Sequence, residues 1–232
     1  MKILAIETAT ETCSVALLDN GKVLEHFELA ARRQTDRVLP MVAALLAEAG
    51  VSRGQLDGIA FGQGPGAFTG VRIAVAVTQG LAYALDRPVL GVSTLASAAL
   101  AGFDRGLEGP ALIAFDARMG ELYLGAYERA GEHSLKTLLA DCLAHPMALP
   151  VLPQSLRSGA GSGAVHKAAL QAAVPALAEW DETVCPRAAT VARLAWARLA
   201  AGEGVPAQNA MPVYLRDRVV HTSQAMNQAK KK

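Results

Sequence analysis

The sequence predicts a mixed α/β protein of two related subdomains, and three observations carry that reading. First, 232 residues suffice for one large domain or two small ones. Second, each half opens on a hairpin signal, Asn20-Gly21 near the start and Arg118-Met119-Gly120-Glu121 just past the middle. Third, short apolar runs of strand length alternate with longer stretches patterned at helical spacing.

Taken in order, Ile3-Leu4-Ala5-Ile6 is the first strand, followed by the polar turn 7–12 and a second apolar run at 13–18. Asp19-Asn20-Gly21-Lys22 then reverses the chain, because both central residues of such a turn must accept positive φ. The return strand is 23–29, so the protein opens with a three-stranded antiparallel meander and not with a βαβ unit. Thr35 supplies an N-cap for a helix ending near Gly50. Val38, Leu39, Val42, Leu45, Leu46 and Ala49 form its apolar stripe. Pro40, just past the first turn, is expected to loosen the helix start or shift it later. A strand at 58–61, a glycine loop at 62–70, an Ala/Val-rich helix at 71–85 and a short buried strand at 88–92 follow. Ser93 or Thr94 caps a helix to about Leu100. The polar stretch 102–109 is the expected boundary, dividing the chain into lobes of 1–106 and 107–215. After a second hairpin at 111–117 and 122–127, residues 130–153 are weakly patterned and broken by Pro146, Pro150 and Pro153. A second glycine cluster at 158–163 leads into a helix ending at Ala173. A last helix over 188–201 carries Val191, Leu194, Ala195 and Leu199 on one face. The polar tail 216–232 is expected to fray.

Composition excludes several classes of function. The chain is 52% hydrophobic, 19% charged and 5% aromatic, the profile of a packed protein and not a disordered one. Its net charge is +1, and taking away Lys230, Lys231 and Lys232 leaves −2. Such a body does not grip nucleic acid unaided. Cys13, Cys142 and Cys185 lie far apart and form no C-x-x-C pair, which argues against a disulfide scaffold or zinc ribbon and for a reducing cytoplasm. No leader is expected ahead of the first strand, and no apolar run of about 18 residues is expected to span a bilayer.

The glycine loop is the most informative stretch. Gly62-Gln63-Gly64-Pro65-Gly66-Ala67-Phe68-Thr69-Gly70 sets four glycines in nine residues between a strand and a helix, where a backbone can approach another group closely. That group is either an anion at the helix N-terminus or simply the rest of the protein. A Walker A loop is excluded, since the loop has no lysine. Gly62-x-Gly64-x-x-Ala67 matches the dinucleotide fingerprint only formally, because no acidic residue ends the next strand. Glu7, Thr8, Thr10, Glu11 and Thr12 either hold a metal–phosphate group or form a solvated turn with capping hydroxyls. No two of the five histidines share a helix face as metal ligands, and no G-x-S-x-G elbow exists. Cys13 reads as a buried small hydrophobe. Asp116, Arg118 and Glu121 read as a solvated turn, and Arg32, Arg33 and Arg37 as a solvated helix start.

The ordered motifs resemble those of a known family. Lys2-Ile3-Leu4-Ala5-Ile6-Glu7-Thr8-Ala9-Thr10 with Cys13-Ser14-Val15-Ala16-Leu17 is similar to the opening of the bacterial TsaB family, also called YeaZ. Gly64-Pro65-Gly66-Ala67-Phe68-Thr69-Gly70-Val71-Arg72-Ile73 resembles its most specific motif. Leu39-Pro40, Gly91-Val92-Ser93-Thr94-Leu95, Asp116-Ala117-Arg118-Met119-Gly120-Glu121 and Pro212-Val213-Tyr214-Leu215-Arg216 continue the match. The resemblance implies a two-lobed actin/Hsp70-like (ASKHA) fold with mixed sheets. It also implies a part in forming N6-threonylcarbamoyladenosine at position 37 of tRNAs that read codons beginning with A. In that family's pathway TsaD transfers the threonylcarbamoyl group, TsaB supports TsaD, and the ATPase TsaE assists. TsaD-like proteins carry a metal-binding His-x-x-x-His where this chain has Thr94 and Ala98, and Gln34 stands where many TsaB sequences have histidine.

Two functional expectations follow. The first is a non-catalytic partner subunit that is a homodimer in isolation, binds a TsaD-like protein and a TsaE-like ATPase, and meets tRNA only through the complex. Its partner face is expected at Val38, Val42, Leu45, Arg72, Val75 and Gln79, with ATP or ADP at the partner interface. The second is an actin-fold ATPase or sugar-kinase-like enzyme with its own site. For either, the nucleotide or anion loop is expected at Glu7, Thr8, Gly64, Gly66, Thr69 and Gly70.

Overall fold

The computed structural model describes residues 1–216 apart from residues 31 and 178. Of the expected tail 216–232, residues 217–232, with the three lysines, lie outside the described residues. Strands β1 (Lys2–Glu7), β2 (Thr12–Asp19) and β3 (Lys22–Leu29) form the antiparallel meander, and the turn between β2 and β3 places Asn20 and Gly21 at φ of 49° and 85°. Helix α1 (Gln34–Glu48), strand β4 (Gly58–Gly64), helix α2 (Phe68–Leu85) and strand β5 (Val89–Ser93) complete the first unit. β4 and β5 run parallel to β1, giving a mixed sheet of order β3-β2-β1-β4-β5.

Helix α3 (Thr94–Asp104), N-capped by the Ser93 hydroxyl, crosses to a second sheet. There β6 (Ala111–Asp116), β7 (Leu122–Gly131) and β8 (Ser134–Ala144) form an antiparallel meander. β9 (Ser158–Ala160), helix α4 (Lys167–Ala173) and β10 (Glu179–Asp181) follow, giving the order β10-β9-β6-β7-β8 with β9 and β10 parallel to β6. Each half therefore has its first strand at the centre, a meander on one side and parallel strands on the other. This is the duplicated mixed α/β architecture of the actin-like folds.

Side-chain alternation builds the layers. One face of the first sheet (Leu4, Ile6, Val15, Leu17, Ile59, Phe61) packs under α1 and α2. Its other face (Ile3, Ala5, Leu18, Ala60, Leu90, Val92) packs under α5 (Ala188–Ala200) through Val191, Ala192 and Ala195. α3 lies beside α5 and covers the second sheet with Leu95, Ala98, Ala99 and Phe103. The far face of that sheet is covered by Leu170 of α4 with Val174 and Leu177.

Several expectations need correction. The weakly patterned stretch 130–153 contains β8, an edge strand whose residues are partly exposed along both faces, so no clean alternation marks it. β10 is too short to show a pattern. α1 begins at Gln34, capped by the backbone of Arg33 with no side-chain bond, and not at a Thr35 cap. Pro40 lies within it and neither delays nor interrupts it. The first turn is pinned by the Gln34 amide donating to Thr10 O (2.9 Å), and Val38, Met41, Val42 and Leu45 are seated in the core on both sides of the proline. β4 continues through Gly64, and α2 takes up Phe68, Thr69 and Gly70 in its first turn. From Ala188 onward the chain returns to the first sheet, so the range 107–215 does not belong to one lobe. Val205 pairs with Val89 (2.8 and 2.9 Å), and Val213 N–H donates to Gln63 O (2.7 Å). Arg216 does not fray: its guanidinium binds Glu121 (2.6 Å) and Ala117 O (3.0 Å).

Candidate functional site

The ends of β1 and β4 bring together Glu7, Thr8 and the glycine loop. Glu7 and Thr8 are fully buried. The Glu7 carboxyl accepts from Ala9 N–H (2.7 Å) and from the Thr94 hydroxyl (3.4 Å), with no cation on it among the described residues. Burial, outweighing those hydrogen bonds, pushes its pKa up to about 7. The Thr8 hydroxyl donates to Gly70 O (2.7 Å), and Ala67 N–H donates to Ala9 O (2.7 Å).

These contacts identify what the glycines approach. A Cβ on Gly62 would lie 1.9 Å from a Glu7 carboxyl oxygen, one on Gly66 2.4 Å from Ala9 O, and one on Gly70 2.1 Å from Thr8 O. The loop is thus pressed onto the β1–β2 turn, and its glycines have a reason that needs no ligand. Gly64 lies against Val213 O with φ +102°, and Thr69 is exposed on the first turn of α2. A groove of about 560 Å³ lies between β3 and α1, lined by His26, Glu28, Arg37 and Met41. Another of about 290 Å³ lies at the β5 edge, lined by Gln63, Gly91, Arg198 and Val213. Neither is lined by Glu7, Thr8, Gly66, Thr69 or Gly70.

The other candidates resolve locally. Cys13 is buried in β2, and burial raises its thiol to about 11, which keeps it neutral. Arg37 leaves the basic cluster by forking onto Glu28 (2.6 and 2.9 Å), whose carboxyl it holds below the usual range. The Asp116–Glu121 turn is not merely solvated. Arg118, Met119 and Gly120 all have positive φ, Arg118 reaches Glu11 (3.5 Å), and Arg216 docks into the turn.

The partner-face residues divide. Val38, Val42, Leu45 and Val75 are core residues under α1 and α2, not surface ones. An apolar stripe marks the face a helix turns toward its own sheet, so the stripe located the wrong side of each helix. Gln79 is part-buried and donates to Ala210 O (3.0 Å), while Arg72 is exposed. The outward faces carry Leu39, Pro40, Ala43, Ala44 and Ala47 on α1 and Phe68, Arg72, Ala76, Gly80 and Tyr83 on α2. The signal missed in the sequence was the scarcity of charge: Arg72 is the one charged residue in the eighteen of α2. α2 is also long and apolar enough, by length and composition, to cross a membrane, against the expectation that no such run exists. Here Val71, Ala74, Val75, Thr78 and Ala82 fasten it to the sheet, and only a third of it is buried.

Comparisons with known proteins agree with this architecture. The family model described as TsaD, tRNA N6-adenosine threonylcarbamoyltransferase, matches residues 26–224. A "tRNA threonylcarbamoyladenosine biosynthesis protein TsaB" from Escherichia coli is 37% identical over 225 residues, covering 94% of this chain and 96% of that protein. A Pseudomonas aeruginosa crystal structure, described as having similarity to peptidase YeaZ, superposes with a TM-score of 0.85 at 42% identity, covering 93% of this chain and 99% of the other. A second structure, YeaZ from Pseudomonas aeruginosa, gives 0.83 at 42% identity, covering 92% and 99%. On its motifs, its duplicated fold and these matches, the chain belongs to the TsaB (YeaZ) family.

Proposed function

We propose that this chain is a non-catalytic subunit in the formation of N6-threonylcarbamoyladenosine on tRNA, docking a TsaD-like transferase on the outward face of α1 and α2. The observation that carries the docking part is α2 itself. Eighteen residues with one charge, two thirds of them unburied, form an apolar surface that a lone soluble chain rarely leaves uncovered. Tyr83 at 81% exposed, Leu39 at 51% and Phe68 at 48% stand on it. Small residues between them, Ala76 and Gly80 on α2 and Ala43, Ala44 and Ala47 on α1, let another helix approach closely. In isolation the same face supports a homodimer. The name of the Escherichia coli relative supports the tRNA part.

The non-catalytic part rests on residue chemistry. Thr94 and Ala98, at the positions where TsaD-like proteins carry a metal-binding histidine pair, are fully buried in α3 and offer no imidazole. The glycine loop is closed on Thr8 and Ala9, which supports placing ATP or ADP at the partner interface instead of in a pocket of this chain. A TsaE-like ATPase and the tRNA are reached through the complex.

Reconstitution of tRNA modification from purified parts, with this chain omitted, tests the role; activity that survives omission removes it. Ala76→Glu tests the face. It should abolish binding of the TsaD-like partner while moving the thermal midpoint little, because Ala76 is exposed. Gly80→Ala should act in opposite directions on stability and affinity. Its Cβ meets nothing within 4 Å among the described residues. Helix propensity therefore predicts a gain of about 0.5–1 kcal/mol by thermal or chemical denaturation. The added methyl should weaken partner binding several-fold by titration calorimetry.

A further inference from the structure

Arg72 is held rigid on the outward face of α2, and among the described residues its outer nitrogens have no partner. Its guanidinium carbon sits 3.5 Å over the Phe68 ring and 5.7 Å from the Tyr214 ring centre, and the two rings stack at 5.7 Å and 29°. Its Nε donates to the Tyr214 hydroxyl (2.7 Å). Among the described residues no carboxylate pairs with it, whereas Arg37, Arg187 and Arg216 each grip a glutamate. A clamped fork has already given up its rotamer freedom, so little is lost when it closes on a planar acid. Arginine and tyrosine in an apolar surround are also the residue types that dominate interface energetics.

We propose that Arg72 is the specificity anchor of the α2 face, receiving a carboxylate side chain of a partner protein other than a second copy of this chain. The inference rests on the proposed docking face and adds what the partner must present: an acidic residue set in an otherwise apolar helix surface. Charge complementarity selects that occupant. A phosphate backbone calls for several cations together, and α2 offers one. A second copy packed α2 on α2 about a two-fold axis brings no acid to the fork, since α2 contains none and the exposed acids of the face, Asp36 and Glu48, stand at the ends of α1.

The test uses the full chain and its cognate TsaD-like protein, with Arg72→Ala, Arg72→Lys and Tyr214→Phe compared by titration calorimetry at low and high salt. Self-association is followed by light scattering, and each variant's thermal midpoint is checked. Arg72→Ala should weaken the heterocomplex tenfold or more, remove much of its salt dependence and leave self-association unchanged. Arg72→Lys should recover only part of the loss, and Tyr214→Phe should cost about threefold. Unchanged affinity for Arg72→Ala, beside lost binding for Ala76→Glu, would overturn the anchor and leave the docking face standing. Unchanged affinity in both would remove the docking face itself. Loss of self-association to the same degree would make the occupant a second copy, and loss of tRNA binding alone would make it a phosphate; either overturns the proposal.

Discussion

Gly70→Ala is expected to destabilise the chain by about 3 kcal/mol or more, at the upper end of what overpacking costs. The new Cβ would sit 2.1 Å from Thr8 O, a backbone atom on a strand end, and 3.3 Å from the Ala9 Cα. Neither can move without disturbing the whole first sheet, because β1 is its central strand. The Thr8 hydroxyl, which donates to Gly70 O at 2.7 Å, would be displaced from its acceptor as well. Chemical denaturation of Gly70→Ala and Gly80→Ala side by side gives the contrast: the same substitution on the same helix, with opposite signs. Equal stability of the two variants would mean that the glycine loop does not bear on the β1–β2 turn as described.

Glu7→Gln should raise stability at alkaline pH and remove much of the chain's pH dependence. With a folded pKa of about 7 against 4.5 unfolded, Glu7 is protonated in both states in acid, and its contribution is then complete. As pH rises from 4.5 the unfolded chain releases the proton first, so stability falls until about pH 7 and then levels off. The difference corresponds to about 3–4 kcal/mol, at roughly 1.4 kcal/mol per unit. Glutamine keeps the acceptor for Ala9 N–H without the charge. Denaturation at pH 5 and pH 8 should show wild type losing stability on the alkaline side and Glu7→Gln losing far less. Asp141 is raised in the same direction by burial, beside the Ser93 hydroxyl at 2.5 Å and the Tyr127 hydroxyl. A smaller slope therefore persists in the variant, and only the difference between the two chains isolates Glu7. Parallel pH profiles would contradict a sealed Glu7.

Local chemistry made much of the fold readable. Asn20-Gly21 announced its hairpin because few other residues accept two positive φ values in succession, and α5 announced itself by spacing. β8 did not, because an edge strand with both faces half-wet has no periodicity to display. The same limit governs the site. Glycines at 62, 66 and 70 show that something comes close to the backbone, but whether that is phosphate or Thr8 depends on β1 and β4 being adjacent in space. The partner face was misplaced for a related reason. Val38, Val42, Leu45 and Val75 are the most visible apolar positions because the sheet demands them. An interface built from Ala76, Gly80 and Tyr83 registers only as missing charge. Tyr214 lies 142 residues from Arg72, and no local pattern links them.

The return of 188–200 to the first sheet also sets an order of events during synthesis. Ile3, Ala5, Leu18, Ala60, Leu90 and Val92 are all made well before α5, which covers them. Until then one whole face of the first sheet is bare, and a chain stalled before Ala188 presents it to solvent and to chaperones. The first half is accordingly expected to fail as an autonomous fragment, and the slow step of refolding should be closure of this long-range contact between the first sheet and α5.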